Sequence, residues 1–197
     1  GLLGENGAGK TTLFNIIKGG SDNYEGSVKR YFTGGEMVSL PQVINLSGTL
    51  RNEEVFDLIC CFNKLTKKQA WAELNSKWND DFFIRYEKIR HKRTYTVSYG
   101  EKRWLIISLM LTLCKDARFF LLDEPTEGIQ PSIIKEMAKI LRKIRDAEGL
   151  TILVSEQVLS FVLDVSDKIV VIEKGNIVHQ QARSGADEEQ IASYLSV

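Results

Sequence analysis

Continuous apolar runs alternate with a helical pattern in the second half of the chain. Residues 119–122 form one apolar run that ends at Asp123, and residues 151–154, which are apolar after Thr151, form a second strand-like segment. Such runs are typical of parallel strands that are buried on both faces of a sheet. Between them, apolar residues recur at helical spacing over residues 133–144, after Pro131, which can begin a helix. The alternation predicts an α/β fold with a mostly parallel sheet.

Weaker patterns predict the remaining elements near the two ends of the chain. They are a helix over 13–18 ended by Gly19 and Gly20, strands over 27–32 and 37–40, a hairpin of 169–172 with 177–178 around the turn 174–176, and a short final helix beginning at the acidic residues 187–189. Only Gly1, Leu2 and Leu3 stand where a strand should precede the first helix. We therefore expect the chain to be truncated at its N-terminus.

Residues 43–96 have a different character, with longer polar and aromatic segments of helical period. Val55, Leu58, Ile59 and Phe62 illustrate the spacing. We expect this region to form a helical subdomain that is inserted into the α/β core. Its aromatic residues suit either core packing or a docking surface, and core packing is the simpler interpretation for most of them: Trp71, Trp78, Phe82 and Phe83.

Composition narrows the class of protein. The chain has 197 residues, 43% of them hydrophobic, with 26 basic and 26 acidic side chains. This length is enough for one globular domain with a sizeable core. The balanced charge argues against a nucleic-acid partner, so the basic stretch 85–93 is interpreted as a solvated helix face. The longest apolar stretch, 104–113, is shorter than the roughly 20 residues that cross a bilayer. Three cysteines without metal-ligand spacing suggest reduced thiols.

The segment GENGAGKTT at residues 4–12 is a complete phosphate-binding loop of the form G-x-x-x-x-G-K-[ST]. Its glycines allow backbone N–H groups to surround phosphate oxygens, and the following helix directs its positive dipole end to the same anion. Lys10 would neutralise the β and γ phosphates, and the Thr11 hydroxyl would ligate Mg²⁺. The predicted nucleotide-binding residues of this loop are Asn6, Gly7, Ala8, Gly9, Lys10, Thr11 and Thr12.

Two carboxylates follow the apolar run 119–122. Asp123 and Glu124 would therefore lie at the carboxyl end of a buried strand, beside the phosphate-binding loop. Asp123 suits the Mg²⁺ shell, and Glu124 suits a base that polarises the attacking water. Together with the loop, this pair predicts hydrolysis of a nucleoside triphosphate.

The sequence VSYGE at residues 97–101 directly precedes an apolar helix. With the two motifs above, it resembles the ATP-binding subunits of ABC transporters, where this segment is the signature motif. The resemblance implies that Ser98, Gly100 and Glu101 bind the γ-phosphate of ATP that is held by a partner subunit. A helix start offers free N–H donors to an anion, which suits that role.

Three further positions correspond to motifs of this family, and at two of them the residue differs from the usual one. Gln42 matches the Q-loop glutamine that reaches metal and water, so the resemblance makes Thr11, Gln42 and Asp123 the metal-site residues. Gln130 stands where the D-loop commonly has aspartate, and Gln157 replaces the switch histidine. Both departures are similar to the branched-chain amino acid and urea uptake group. A neutral amide cannot carry a proton as imidazole can, so hydrolysis would depend on Glu124.

The resemblance implies a P-loop NTPase core over 1–197, with the 43–96 subdomain inserted between the Q-loop and the signature motif. Catalysis would use Glu124, Gln157 and Gln42, with ATP and Mg²⁺ bound between two ATPase subunits. Expected partners are membrane permease subunits and an extracytoplasmic solute-binding protein, with the chain peripheral at the cytoplasmic face and taking up amino acids, urea or a similar solute. The alternatives are a non-transport ABC ATPase acting on ribosomes or DNA, and a regulatory domain that binds ATP without turnover.

Overall fold

A computed structural model describes residues 1–195 of the protein. Its helices are α1 (Lys10–Lys18), α2 (Asn52–Phe62), α3 (Lys67–Lys77), α4 (Asp80–Ile89), α5 (Tyr99–Leu113), α6 (Pro131–Glu148), α7 (Leu159–Val165) and α8 (Glu188–Ser193). Its strands are β1 (Leu2–Leu3), β2 (Met37–Leu40), β3 (Phe119–Asp123), β4 (Thr151–Glu156), β5 (Lys168–Glu173) and β6 (Asn176–Ala182). Within residues 1–195, no helix has the length and apolar character needed to cross a membrane.

The chain is divided into two units. The first comprises Gly1–Gln42, Arg118–Thr126 and the chain from Thr151 onward, and the second comprises Val43–Ala117 and Glu127–Leu150. The second unit begins at the residue where the sequence predicts the helical subdomain to begin, and it also includes α5 and α6.

A six-stranded sheet forms the centre of the first unit, with the strand order β2-β3-β4-β1-β5-β6. All neighbouring strands are parallel except β5 and β6, which form an antiparallel pair. The predicted parallel strands at 119–122 and 151–154 and the predicted hairpin are confirmed. The register places Asp123 opposite Ser155, so the carboxyl ends of β3 and β4 lie side by side.

Apolar side chains cover both faces of this sheet. Leu2 packs with Phe14 of α1 and Leu121 of β3, whereas Leu3 packs with Val162 of α7 and Ile191 of α8. Successive strand residues point to opposite faces, so the two leucines of β1 reach two different clusters. The result is a three-layer α/β arrangement in which the inner strands of the sheet are buried, whereas the edge strand β6 is largely exposed.

The predicted strand over 27–32 is wrong. This segment has no regular structure and is largely exposed. The Arg30 guanidinium instead donates hydrogen bonds to the carbonyl oxygens of Ile16 and Ile17, both at 2.7 Å. These carbonyls belong to the last turn of α1, where the Gly19 N–H also bonds to that of Ile16, and arginine is well suited to cap such a helix end.

An aromatic core holds the second unit together. Phe82 and Trp104 are completely buried, and their ring centroids are 5.1 Å apart. The Trp78 indole N–H donates to the Thr112 hydroxyl at 2.9 Å, which satisfies a buried polar group. Trp78 and Phe82 are thus core residues, as expected, whereas Trp71 and Phe83 are only partly buried.

Helix α5 is the central element of this unit because it is apolar on nearly all sides, and such helices are buried. The Arg85 guanidinium lies 4.9 Å from the centre of the ring of Trp104, a residue of α5, and 3.4 Å from the Glu136 carboxylate. Arg85 therefore takes part in packing, which departs from the solvated face predicted for the basic stretch.

Candidate functional site

The phosphate-binding loop connects β1 to α1. Gly7 and Gly9 have φ values of 80° and 105°, in the left-handed region that glycine adopts most readily. Gly9 is the N-cap of α1, so the loop turns directly into the helix. The first N–H groups of α1 have no partners within the helix and can bind an anion.

Lys10 is the first residue of α1, and its side chain is 4% exposed. Its Nζ donates to the carbonyl oxygens of Gly4 and Glu5, at 2.6 and 3.0 Å, and lies 3.0 Å from Oε1 of Glu124. A buried ammonium group requires such compensation. The loop thus holds one cation at the carboxyl end of β3.

Asp123 lies between two hydroxyl groups. The Thr11 hydroxyl donates to its Oδ2 at 3.0 Å, and the Ser155 hydroxyl donates to its Oδ1 at 2.5 Å. Within the described residues, no group of three or more His, Cys, Asp or Glu side chains could hold a metal ion. One carboxylate beside one hydroxyl is nevertheless the kind of oxygen donor set that fits Mg²⁺, which usually takes its other ligands from substrate phosphates and water.

Glu124 is 5% exposed and has a φ of 47°, so its backbone is left-handed although it is not glycine. Its carboxylate accepts hydrogen bonds from Nε2 of Gln42 and from Nε2 of Gln157, each at 3.2 Å. Gln157 also donates to Oδ1 of Asn6 at 3.0 Å. Unusual backbone conformations are concentrated at functional sites. The structure therefore brings the three predicted catalytic residues together around one carboxylate.

A cavity of about 170 Å³ opens in front of the loop. It is lined by Glu5, Asn6, Gly7, Gly9, Lys10, Thr11, Thr12, Gln42 and Glu124. Ala8 is the one predicted loop residue outside this lining, and it packs instead with Leu2 and Phe14. The other loop residues share one water-accessible space with the predicted base.

The predicted signature residues lie in the second unit, at the start of α5. Ser98 is the N-cap, its hydroxyl accepts from the Glu101 N–H at 3.1 Å, and the Glu101 carboxylate accepts from the Ser98 N–H at 2.9 Å. This reciprocal pair is a capping box. A Cβ on Gly100 would lie 2.1 Å from the Gly128 carbonyl oxygen, so only glycine fits there.

Sequence reasoning missed a buried acid in the first unit. Glu156 is 2% exposed, and its Oε1 accepts from the Thr126 N–H at 2.8 Å and from the Thr126 hydroxyl at 2.7 Å. Burial raises the pKa of this carboxyl above its usual value, although hydrogen bonds from Thr126 and Gln157 oppose the shift. Its sequence signal is weak: an acid that follows the predicted strand 151–154 after one intervening serine, and that proves to be the last residue of β4.

Comparison with known proteins decides the family. The family model described as ABC transporter matches residues 1–127, which is more than half of the chain. The chain belongs to the ABC transporter family. Its mixed α/β unit with a mostly parallel sheet is the P-loop NTPase core of that family's ATPases.

Relatives of this ABC protein include McbF of Escherichia coli, 72% identical over 158 residues that cover 80% of the chain and 64% of McbF. BraG of Pseudomonas aeruginosa, named as a branched-chain amino acid transport ATP-binding protein, is 29% identical over 90% of the chain and 78% of BraG. The chain therefore spans less than two thirds of McbF. Similarity to the branched-chain group is confirmed.

Solved structures agree on the fold. An ATP-binding subunit of an ABC transporter matches with a TM-score of 0.80 at 20% identity, covering all of this chain and 87% of the other. Other relatives at 28% and 25% identity are named for cobalt import and ribose import.

Proposed function

We propose that this chain is the ATP-binding subunit of an ABC transporter and that it hydrolyses ATP to drive transport. The observation that carries the proposal is the convergence of Lys10, Thr11 and Glu124 on one cavity, with Asp123 bound to Thr11. Phosphoryl transfer depends mainly on positioned charge and an oriented nucleophile, and this set supplies both.

Each residue has a distinct part in the proposed reaction. Lys10 and the N-terminal N–H groups of α1 bind the phosphates. Glu124 accepts the proton of the attacking water. Gln42 and Gln157 hold the Glu124 carboxylate through their amide groups and orient it. Because a neutral amide neither gains nor loses a net proton near neutral pH, Gln157 acts by hydrogen bonding alone.

Thr11 and Asp123 would hold the Mg²⁺ ion that accompanies the nucleotide, through the hydroxyl and the carboxylate that are now 3.0 Å apart. When bound, the ion would neutralise charge that develops on the phosphate oxygens. The Ser155 hydroxyl fixes the Asp123 carboxylate from its other side.

Turnover is proposed to require two subunits. The capped start of α5, with Ser98, Gly100 and Glu101, would bind the γ-phosphate that is held by Lys10 of a second copy or a related chain. The assembly would sit at the cytoplasmic face of a membrane on permease subunits, with a solute-binding protein on the other side if the system performs uptake.

The transported solute is a separate question. Gln130 and Gln157 support the amino acid and urea group, but the relatives' names divide between amino acids, cobalt and ribose. The proposal therefore specifies ATP-driven transport and no particular solute.

The test is the rate of MgATP hydrolysis by the full-length protein and by its Glu124→Gln variant. Loss of the base should lower kcat by about 10²- to 10⁴-fold while nucleotide binding is retained. Glu136→Gln, which changes a carboxylate in the second unit, is the matched control and should leave kcat unchanged. If Glu124→Gln hydrolyses ATP like the parent, Glu124 is not the base. If the parent neither binds nor hydrolyses MgATP, the proposed function is wrong.

A further inference from the structure

The carboxyl end of β4 contacts the carboxyl end of β3 at three successive positions. Ser155 bonds to Asp123, Glu156 bonds to Thr126, and Gln157 bonds to Glu124. Two of these contacts reach residues with a proposed part in the reaction. The third joins a buried acid to a buried threonine that have no assigned part.

The Glu156 contact is built from three hydrogen bonds. Its Oε1 accepts two bonds from Thr126, and its Oε2 accepts from the Gln157 N–H at 3.1 Å. A buried carboxyl group requires such partners, and here both of its oxygens have one. Both side chains are nearly excluded from water, with exposures of 2% for Glu156 and 4% for Thr126, so losing either partner would leave buried groups without compensation.

This carboxylate links the two short segments that carry the predicted catalytic groups. Thr126 is two residues after Glu124, and Gln157 is the residue after Glu156. One oxygen holds the segment after β3, and the other holds the segment after β4. A displacement of either segment would change the two 3.2 Å contacts between Gln157 and Glu124.

We infer that Glu156 is a positioning residue for hydrolysis: by bonding to both Thr126 and the Gln157 backbone, it fixes the Gln157 amide against the Glu124 carboxylate. The inference rests on the proposed function, because it assigns a further residue to that reaction. A structural role alone predicts loss of stability. A positioning role predicts loss of kcat with substrate binding retained.

Four variants of the full-length protein test this inference through kcat and KM for MgATP and through urea unfolding. Glu156→Met keeps the length of the side chain and removes both acceptors, and Thr126→Val removes one donor at constant shape. Each should lower kcat by about 10- to 100-fold, as misplacement of a reacting group by about 1 Å does. KM should stay within about threefold, since neither substitution replaces a residue of the loop that binds ATP. Thr126→Ser keeps the hydroxyl and should restore most of kcat.

The fourth variant, Thr126→Val with Glu156→Met, closes a double-mutant cycle. Because both changes remove the same contact, the double variant should be no slower than about the slower single variant. Glu136→Gln again serves as the control for loss of a partly buried carboxylate. Thr126→Val keeps the backbone N–H bond to Glu156 and should therefore fold, so the result does not depend on Glu156→Met alone.

The outcomes separate the two proposals. If the parent hydrolyses MgATP but the two single effects on kcat multiply, or if the variants lose only stability, Glu156 is not a positioning residue and the proposed function stands. If the parent does not hydrolyse MgATP, the proposed function fails and takes the role of Glu156 with it.

Discussion

Several polar groups of the candidate site contact one carboxylate, that of Glu124. It forms an ion pair with the Lys10 ammonium and accepts hydrogen bonds from the amides of Gln42 and Gln157, and the residue is only 5% exposed. A single general base held by several donors has a fixed direction, which favours proton transfer from a positioned water. Glutamine at position 157 does not titrate near neutral pH, whereas a histidine there would place a titrating group beside this base.

Replacement of Gln157 by histidine tests that point. Imidazole has an ordinary pKa of about 6.5, so Gln157→His should add an inflection near that pH to the kcat profile, which the parent lacks. Gln157→Leu removes the amide at similar size and should lower kcat by about 10- to 100-fold without the inflection. Gln190→His, on α8, is the control for an added histidine. Identical profiles for the parent and Gln157→His would contradict the role given to this position.

The buried Glu156 also makes a prediction about stability and pH. Burial raises its pKa in the folded protein above the unfolded value, so its contribution to stability is greatest below pH 4.5 and is lost as pH rises through the folded pKa. Glutamine does not titrate. The stability of Glu156→Gln relative to the parent should therefore increase from pH 4.5 to 7.5, by at most about 1.4 kcal/mol per pH unit.

Urea unfolding across this pH range measures the difference. A second variant, measured below pH 4.5, should give the opposite sign. The Lys77 ammonium lowers the pKa of Glu148, so this pair favours folding at higher pH. Glu148→Gln should lose stability relative to the parent as pH rises towards 4.5, by a smaller amount because the pair is partly exposed, and the difference should then stay constant up to pH 7.5. A Glu156→Gln difference that is flat or falls with pH would show that burial does not govern this carboxyl.

At the level of elements, the strands with strong apolar runs could be predicted from sequence, since β3 and β4 lie within one or two residues of the predicted ranges. The failure at 27–32 has a tertiary cause, because Arg30 caps α1 and local alternation does not reveal that contact. Glu156 was missed for a similar reason. Its contact with Thr126 follows from the register between β3 and β4, which single-sequence patterns do not contain.

At the start of α5, glycine at position 100 could be required for either of two reasons, and a stability measurement separates them. Gly100 is expected to approach phosphate, yet its closest constraint is the Gly128 carbonyl oxygen. Gly100→Ala should force the backbone to shift and cost about 1–3 kcal/mol of stability even without nucleotide. Gly35→Ala is the control, because among the described residues its Cβ would meet open space. Unchanged urea unfolding of Gly100→Ala would refute the close approach.

For the whole molecule, the residues proposed to bind one ATP are divided between the two units. The phosphate-binding loop and the two carboxylates belong to the first, and the signature residues belong to the second. Both sets of residues could be predicted from sequence because each has a local motif. Their combination into one site is the part of the proposal that depends on a second chain.

ATP should therefore drive dimerisation, most visibly in Glu124→Gln, where hydrolysis does not disperse the complex. Its molar mass in solution should double when ATP is added and should not change in Lys10→Ala. Ser98→Asp retains a good N-cap for α5 but places a negative charge where the γ-phosphate would bind. In the Glu124→Gln background it should abolish the dimer without unfolding the protein. Thr66→Asp is the matched control because Thr66 caps α3 through the same kind of capping box, and it should dimerise normally. If Ser98→Asp dimerises with ATP as readily as this control, the start of α5 does not bind the nucleotide of a partner.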